Sequence, residues 1–178
     1  SSTNVQWVSP SIAGSTIKVA YAPQNNGIKT NDKAASGAGD GKRGAGWDVV
    51  LDINPELGAG SFNLFAGYSN TELTASTGSS TEDRSSDHEE GTAGVIIGVG
   101  PVKSGFQRTF EHPANYTAGD TEYYANTMWG VSFNVNDNLS LSYGDYKSKK
   151  GFISRETNLT RELTATSWQI AYTMGGAS

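Results

Sequence analysis

The connections constrain this chain more than any single segment does. Runs whose apolar residues recur at every second position are joined by a short turn, then a long polar loop, then a short turn again. The short turns are residues 10–14, 54–60, 100–101 and 136–138. The long loops are residues 23–46, 71–90, 111–121 and 147–160. Period-2 alternation marks strands with one apolar face, so the chain is a series of hairpins whose short ends share one side. A soluble β-sandwich has no reason to keep that parity through four hairpins. A transmembrane barrel does, because its turns are short at one membrane surface and its loops long at the other.

The strands support this. In residues 129–143, Trp129, Val131, Phe133 and Val135 share one face, and Gly130, Ser132 and Asn134 the other. The Asn136-Asp137-Asn138 cluster is a tight-turn signal, and alternation resumes with Leu139, Leu141 and Tyr143. Similar runs start from Val5, Ile17, Trp47, Phe62, Ala93, Val102 and Trp168. The polar faces hold mostly Gly, Ser and Asn, which suit a confined wet interior better than a soluble surface. Val50 and Phe65 interrupt that face, and Arg108 falls on the apolar parity. A bulge, or emergence from the membrane, is needed to accommodate the arginine. About nine strands result, with boundaries good to ~2–4 residues.

Amphipathic rings gather at membrane–water interfaces. With the long loops uppermost, Tyr21, Trp47, Tyr68, Tyr123 and Tyr143 are expected near strand tops, and Trp7, Phe62 and Tyr172 near strand bottoms. Phe106, Phe133 and Trp168 fall nearer the middle.

Composition excludes other classes. No run approaches the ~18 apolar residues of a membrane-crossing helix. A mean hydropathy of −0.46 with 35% hydrophobic residues is compatible with a barrel, where every second strand residue and all loops are wet. The absence of cysteine rules out a disulfide scaffold and a Cys-ligated zinc site. A net charge of −5 argues against nucleic acid as a partner. The N-terminal residues lack signal-peptide shape, and the expectation is that a signal was removed or lies outside this sequence.

Several segments then resemble general bacterial outer-membrane porins of the alphaproteobacterial type. VQWVSPSIAGSTIKVAYAP resembles their strand–turn–strand unit. GVGPVKSGFQ resembles their Gly-Pro periplasmic turn, and NVNDNLSLSYG with SWQIAYTMGGAS resembles their C-terminal third. The resemblance implies an all-β antiparallel transmembrane barrel of roughly sixteen strands, set in membrane lipid of the outer membrane of a Gram-negative bacterium. It further implies a homotrimer passing small hydrophilic solutes and ions by passive diffusion. Residues 1–178 are expected to be an internal to C-terminal portion of such a barrel, since about nine strands is odd and bacterial barrels use even numbers.

In a pore, chemistry means size and field rather than bond-making, set by charged and polar side chains on the wall. The candidate pore-lining residues are Lys18, Asp48, Asp52, Lys103, Gln107 and Glu122. The two lysines are candidate basic wall residues, and the two aspartates would favour cations. Residues 81–90 hold five carboxylates. Oxygen-rich loops can hold Ca2+, but no EF-hand spacing is present and a charge run is ordinarily a solvated face. No cofactor is expected otherwise. His88 and His112 read as loop residues with no second ligand at strand or helix spacing, so no metal site is assigned. Residues 37–43 imitate a phosphate loop but lack its first Gly and its Ser/Thr after Lys42. No catalytic set stands out, so no enzyme is expected. Two alternatives stay open: a small closed outer-membrane barrel with a structural or adhesive role, and a soluble β-sandwich binding carbohydrate.

Overall fold

The computed structural model describes residues 4–23, 43–73, 87–113, 120–153 and 160–173. These form β1 (Val5–Val8), β2 (Ser15–Ala22), β3 (Arg43–Ile53), β4 (Gly60–Leu73), β5 (His88–Val99), β6 (Val102–His112), β7 (Thr121–Asn136), β8 (Leu139–Phe152) and β9 (Thr160–Tyr172). All nine lie in one antiparallel sheet in sequence order. Each strand contacts only the strands before and after it. β1 and β9 are the edges, so the sheet is open. Among the described residues there is no helix and no second sheet, which leaves a sandwich without its other half.

The short turns close by local chemistry. Asn138 donates its backbone N–H to Asn136 Oδ1 at 2.9 Å between β7 and β8, the Asx device that makes Asn a turn residue. Pro101 accepts from the Asn134 N–H at 2.9 Å, tying one turn to its neighbour. Gly14 follows Ala13, and both have positive φ, 77° and 50°. A Cβ on Gly14 would overlap the Asn54 carbonyl, so this turn needs glycine for conformation and for space.

Register fixes the faces, because directly opposed residues share one. Val49, Tyr68 and Gly91 are opposed in turn, as are Phe106 and Trp129, and Leu141 and Ile170. This face carries Trp7, Trp47, Trp129 and Trp168. Val99, Trp168 and Ile170 are 65%, 80% and 73% exposed. Among the described residues no large side chain is fully buried. The apolar surface therefore has no protein core to enter, and an area this large calls for another apolar phase.

The rings on that face touch. Trp47 and Tyr68 have centroids 5.2 Å apart, Tyr68 and Phe110 6.2 Å, Phe110 and His112 5.8 Å, and His112 and Tyr123 6.3 Å. Trp129, Tyr143 and Trp168 form a second chain at 5.4 and 4.6 Å. Two glycines make room: a Cβ on Gly91 would overlap the Phe110 ring, and one on Gly151 the Tyr123 ring. Toward the long connections the face turns polar. Asp145 opposes Thr166, Lys147 opposes Thr164, and Lys149 opposes Glu162.

Two expectations need correction, the first two below, and two open alternatives are decided, the last two. First, the strands run past the expected loop limits: β4 continues to Leu73, β5 begins at His88, β6 ends at His112 and β8 continues to Phe152. Both faces are polar there, so alternation vanishes while the backbone ladder continues. Second, Tyr143 lies in the lower part of β8, near Leu139, because that strand extends upward beyond it. Third, β6 has no bulge. Arg108 stays on the outward parity between Ala93 and Thr127 in unbroken register. Its row continues through Thr127 to Lys147 and Thr164, so Arg108 stands where the outward face becomes polar. Fourth, Phe65 fills space on the polar face by lying over Gly94, where an added Cβ would overlap its ring.

Candidate functional site

The polar face is the surface on which function has to be sought. Small residues on alternate positions leave its floor low: Gly67, Gly94, Gly98, Gly105, Gly130 and Gly144 all carry the polar parity. Larger polar groups stand above that floor and bridge strands. Gln107 donates Nε2 to Thr92 Oγ1 at 2.9 Å. Asn126 donates Nδ2 to Thr109 Oγ1 at 2.9 Å and accepts the Tyr146 hydroxyl at 3.0 Å. A hydrogen-bonded band thus crosses β5 to β8, fixing side chains that would otherwise swing.

One row of opposed residues separates charge across the sheet. Asp48 opposes Ser69, which opposes Glu90, which opposes Glu111. The row continues to Tyr124, Lys150 and Arg161. Carboxylates occupy β3, β5 and β6, and cations occupy β8 and β9. Rings hold the basic end: Lys150 Nζ lies 5.4 Å from the Tyr124 centroid and 4.9 Å from that of Phe152, and Arg161 sits 5.5 Å from Phe152. Each such contact is worth about 0.5–1 kcal/mol at an exposed site. The same face therefore presents negative potential at one end and positive at the other.

The six residues singled out in the sequence fall on this face unevenly. Lys18 opposes Val50, whose neighbours two residues away are Asp48 and Asp52, so these three charges form one group on β2 and β3. Asp52 Oδ1 accepts from Asn63 Nδ2 at 2.6 Å. Gln107 lies mid-sheet between Gly94 and Met128. Lys103 lies close to the Gly100 turn, between Gly98 and Ser132. Glu122 sits where the β7–β8 register shifts between Thr121 and Tyr123, beyond the last opposed pair of β6 and β7.

Sequence reasoning missed Glu90, Glu111, Lys150 and Arg161, having placed the first three within loops. The available signal was continued spacing by two: His88, Glu90 and Thr92, then Gln107, Thr109 and Glu111. The acidic run is also divided by strand geometry. Glu89 faces outward and accepts the Tyr68 hydroxyl at 2.7 Å, while Glu90 faces the polar side. Asp87 accepts from Asn70 Nδ2 at 3.1 Å. Glu82 and Asp83 lie outside the described residues, as does the 37–42 part of the loop resembling a phosphate binder. Both histidines are strand residues, at the start of β5 and the end of β6. Glu90 lies two residues from His88 on β5, a strand spacing already present in the sequence, whereas pairing between β5 and β6 brings Glu111 to His88 and Glu89 to His112. His88 Nε2 is 2.9 Å from Glu90 Oε1 and 3.7 Å from Glu111 Oε1, and His112 Nδ1 is 3.7 Å from Glu89 Oε2.

A lipid-ready apolar face, ring contacts along it, and a polar face with ordered charge make up one wall of a membrane barrel. A search of the curated proteins returns no match. The family model described as Gram-negative porin matches residues 1–174. With nearly all of its length matched, the chain belongs to the Gram-negative porin family, and its place is the bacterial outer membrane.

Proposed function

We propose that the polar face lines a water-filled channel through which small hydrophilic solutes and ions diffuse passively, and that the native assembly is a homotrimer. The observation that carries the channel reading is the charge-separated row from Asp48 to Arg161. A wall built only to fill a narrow barrel needs bulky interlocking side chains, whereas here glycines keep the floor open. A field across the path orders ions and dipolar solutes without chemistry, as wall charges do in selective pores. In this reading Lys18, Asp48, Asp52, Lys103, Gln107 and Glu122 contribute wall polarity, and Glu90, Glu111, Lys150 and Arg161 set the field. Membrane lipid covers the opposite face. The family is one of channel proteins rather than enzymes.

The test is conductance of the native protein in planar bilayers under a salt gradient. Discrete steps closing in threes support an open trimeric channel; absence of steps from folded, inserted protein would sink the reading. Charge reversal at Lys150→Glu with Arg161→Glu is expected to move the reversal potential toward cations. The change in permeability ratio should be a few fold, since a charge ~4 Å from an ion in water is worth about 1 kcal/mol.

A further inference from the structure

We propose that His88, Glu90 and Glu111 form a binding site for a divalent transition-metal ion of the zinc class on the polar face of β5 and β6. His88 and Glu90 are two residues apart on β5 and share that face, and Glu111 stands directly opposite Glu90. One donor atom from each lies within 4.8 Å of the other two. His88 Nε2 is 2.9 and 3.7 Å from the two carboxylates, and its side chain is only 20% exposed, so the ring is already held in place.

Two facts make this a ligand set rather than an ordinary ion pair. Like charges directly opposed across a sheet destabilise it, and Glu90 faces Glu111 in that position. A dication between them turns the repulsion into attraction. The donor set is one imidazole nitrogen and two carboxylate oxygens. Zinc takes three such protein ligands with water completing the shell, and at bond lengths of ~2.0–2.2 Å its tetrahedral neighbours lie roughly 3.3–3.5 Å apart, between the two distances found. Calcium takes six to eight oxygens, and magnesium demands an octahedron; three donors including nitrogen suit neither. His112 and Glu89 lie on the opposite face of the same strands and supply an internal control.

The ion adds two positive charges to the acidic half of the row described above. A further consequence, which rests on the channel reading, is that bound zinc shifts ion preference toward anions.

The test is calorimetric titration of Zn2+ into the full-length native protein, extracted in detergent and stripped with chelator. Saturation at one ion per chain is expected. H88A and Glu111→Gln should each weaken it by at least about tenfold, as even outer-shell changes cost a metal site 10–100-fold; H112A should leave it unchanged. Heat-resistant gel mobility checks the fold of each variant, and Glu111→Gln keeps side-chain volume if H88A fails to assemble. No saturable binding, loss of binding in H112A, or equal competition by Ca2+ would overturn the site. Binding by calorimetry without any shift in reversal potential supports the site and counts against the channel reading alone.

Discussion

At the scale of single residues, glycine does two kinds of work in this sheet. Gly94 lets Phe65 lie flat on the polar face, and a Cβ there would also come 2.8 Å from the Phe106 carbonyl oxygen. The ring can turn away; the backbone cannot without disturbing the β5–β6 ladder. Gly94→Val is therefore expected to destabilise the folded protein by about 1–3 kcal/mol, the usual cost of overpacking, read as a lower urea midpoint in detergent. Gly91 is gentler, because the three atoms nearest an added Cβ all belong to the Phe110 ring, which is 38% exposed and can turn aside. The two positions look alike in sequence, each a lone glycine in an alternating run. Only the neighbouring strand distinguishes them, and a sequence does not reveal which residue will lie opposite.

At the scale of elements, the short turns carry the register. Gly14 combines a positive φ with backbone packed against Asn54, and Asn54 donates its N–H to the Gly14 carbonyl at 2.8 Å. Gly14→Ala should cost about 1–3 kcal/mol through strained conformation alone and loosen β1 and β2 together, seen as faster amide exchange confined to those strands. The hairpins themselves were legible because one side of each strand faces an apolar phase, so polarity alternates. Where the outward side passes above the Trp129–Tyr143–Trp168 rings, that contrast is gone. Lys147 and Lys149 then look like a loop, although Lys147 pairs with Glu162 of the adjacent strand at 2.7 Å. For the same reason the charged row was only partly legible: Asp48 lies within the alternating region, whereas Glu90, Glu111 and Lys150 lie beyond it.

At the scale of the whole molecule, all four tryptophans lie on the outward parity. In vesicles made with brominated acyl chains their fluorescence should be strongly quenched, while a water-borne quencher restricted to the channel should have little effect. The reverse pattern would mean that the faces have been assigned the wrong way round. The open sheet, lacking any fully buried large side chain among the described residues, shows why a low mean hydropathy is compatible with a membrane wall: the apolar side chains are few, but most of them face one way.

Each strand touches only its two neighbours in sequence, and this has a consequence for how such walls change over time. A hairpin can be gained or lost without altering the pairing of any other strand, so circumference is adjustable in steps. The step must be two strands. One strand alone would carry the next long connection to the wrong membrane surface and turn every later polar side chain toward lipid. Variation in bore by whole hairpins, with the wall chemistry of the rest intact, is thus built into the order of the sheet.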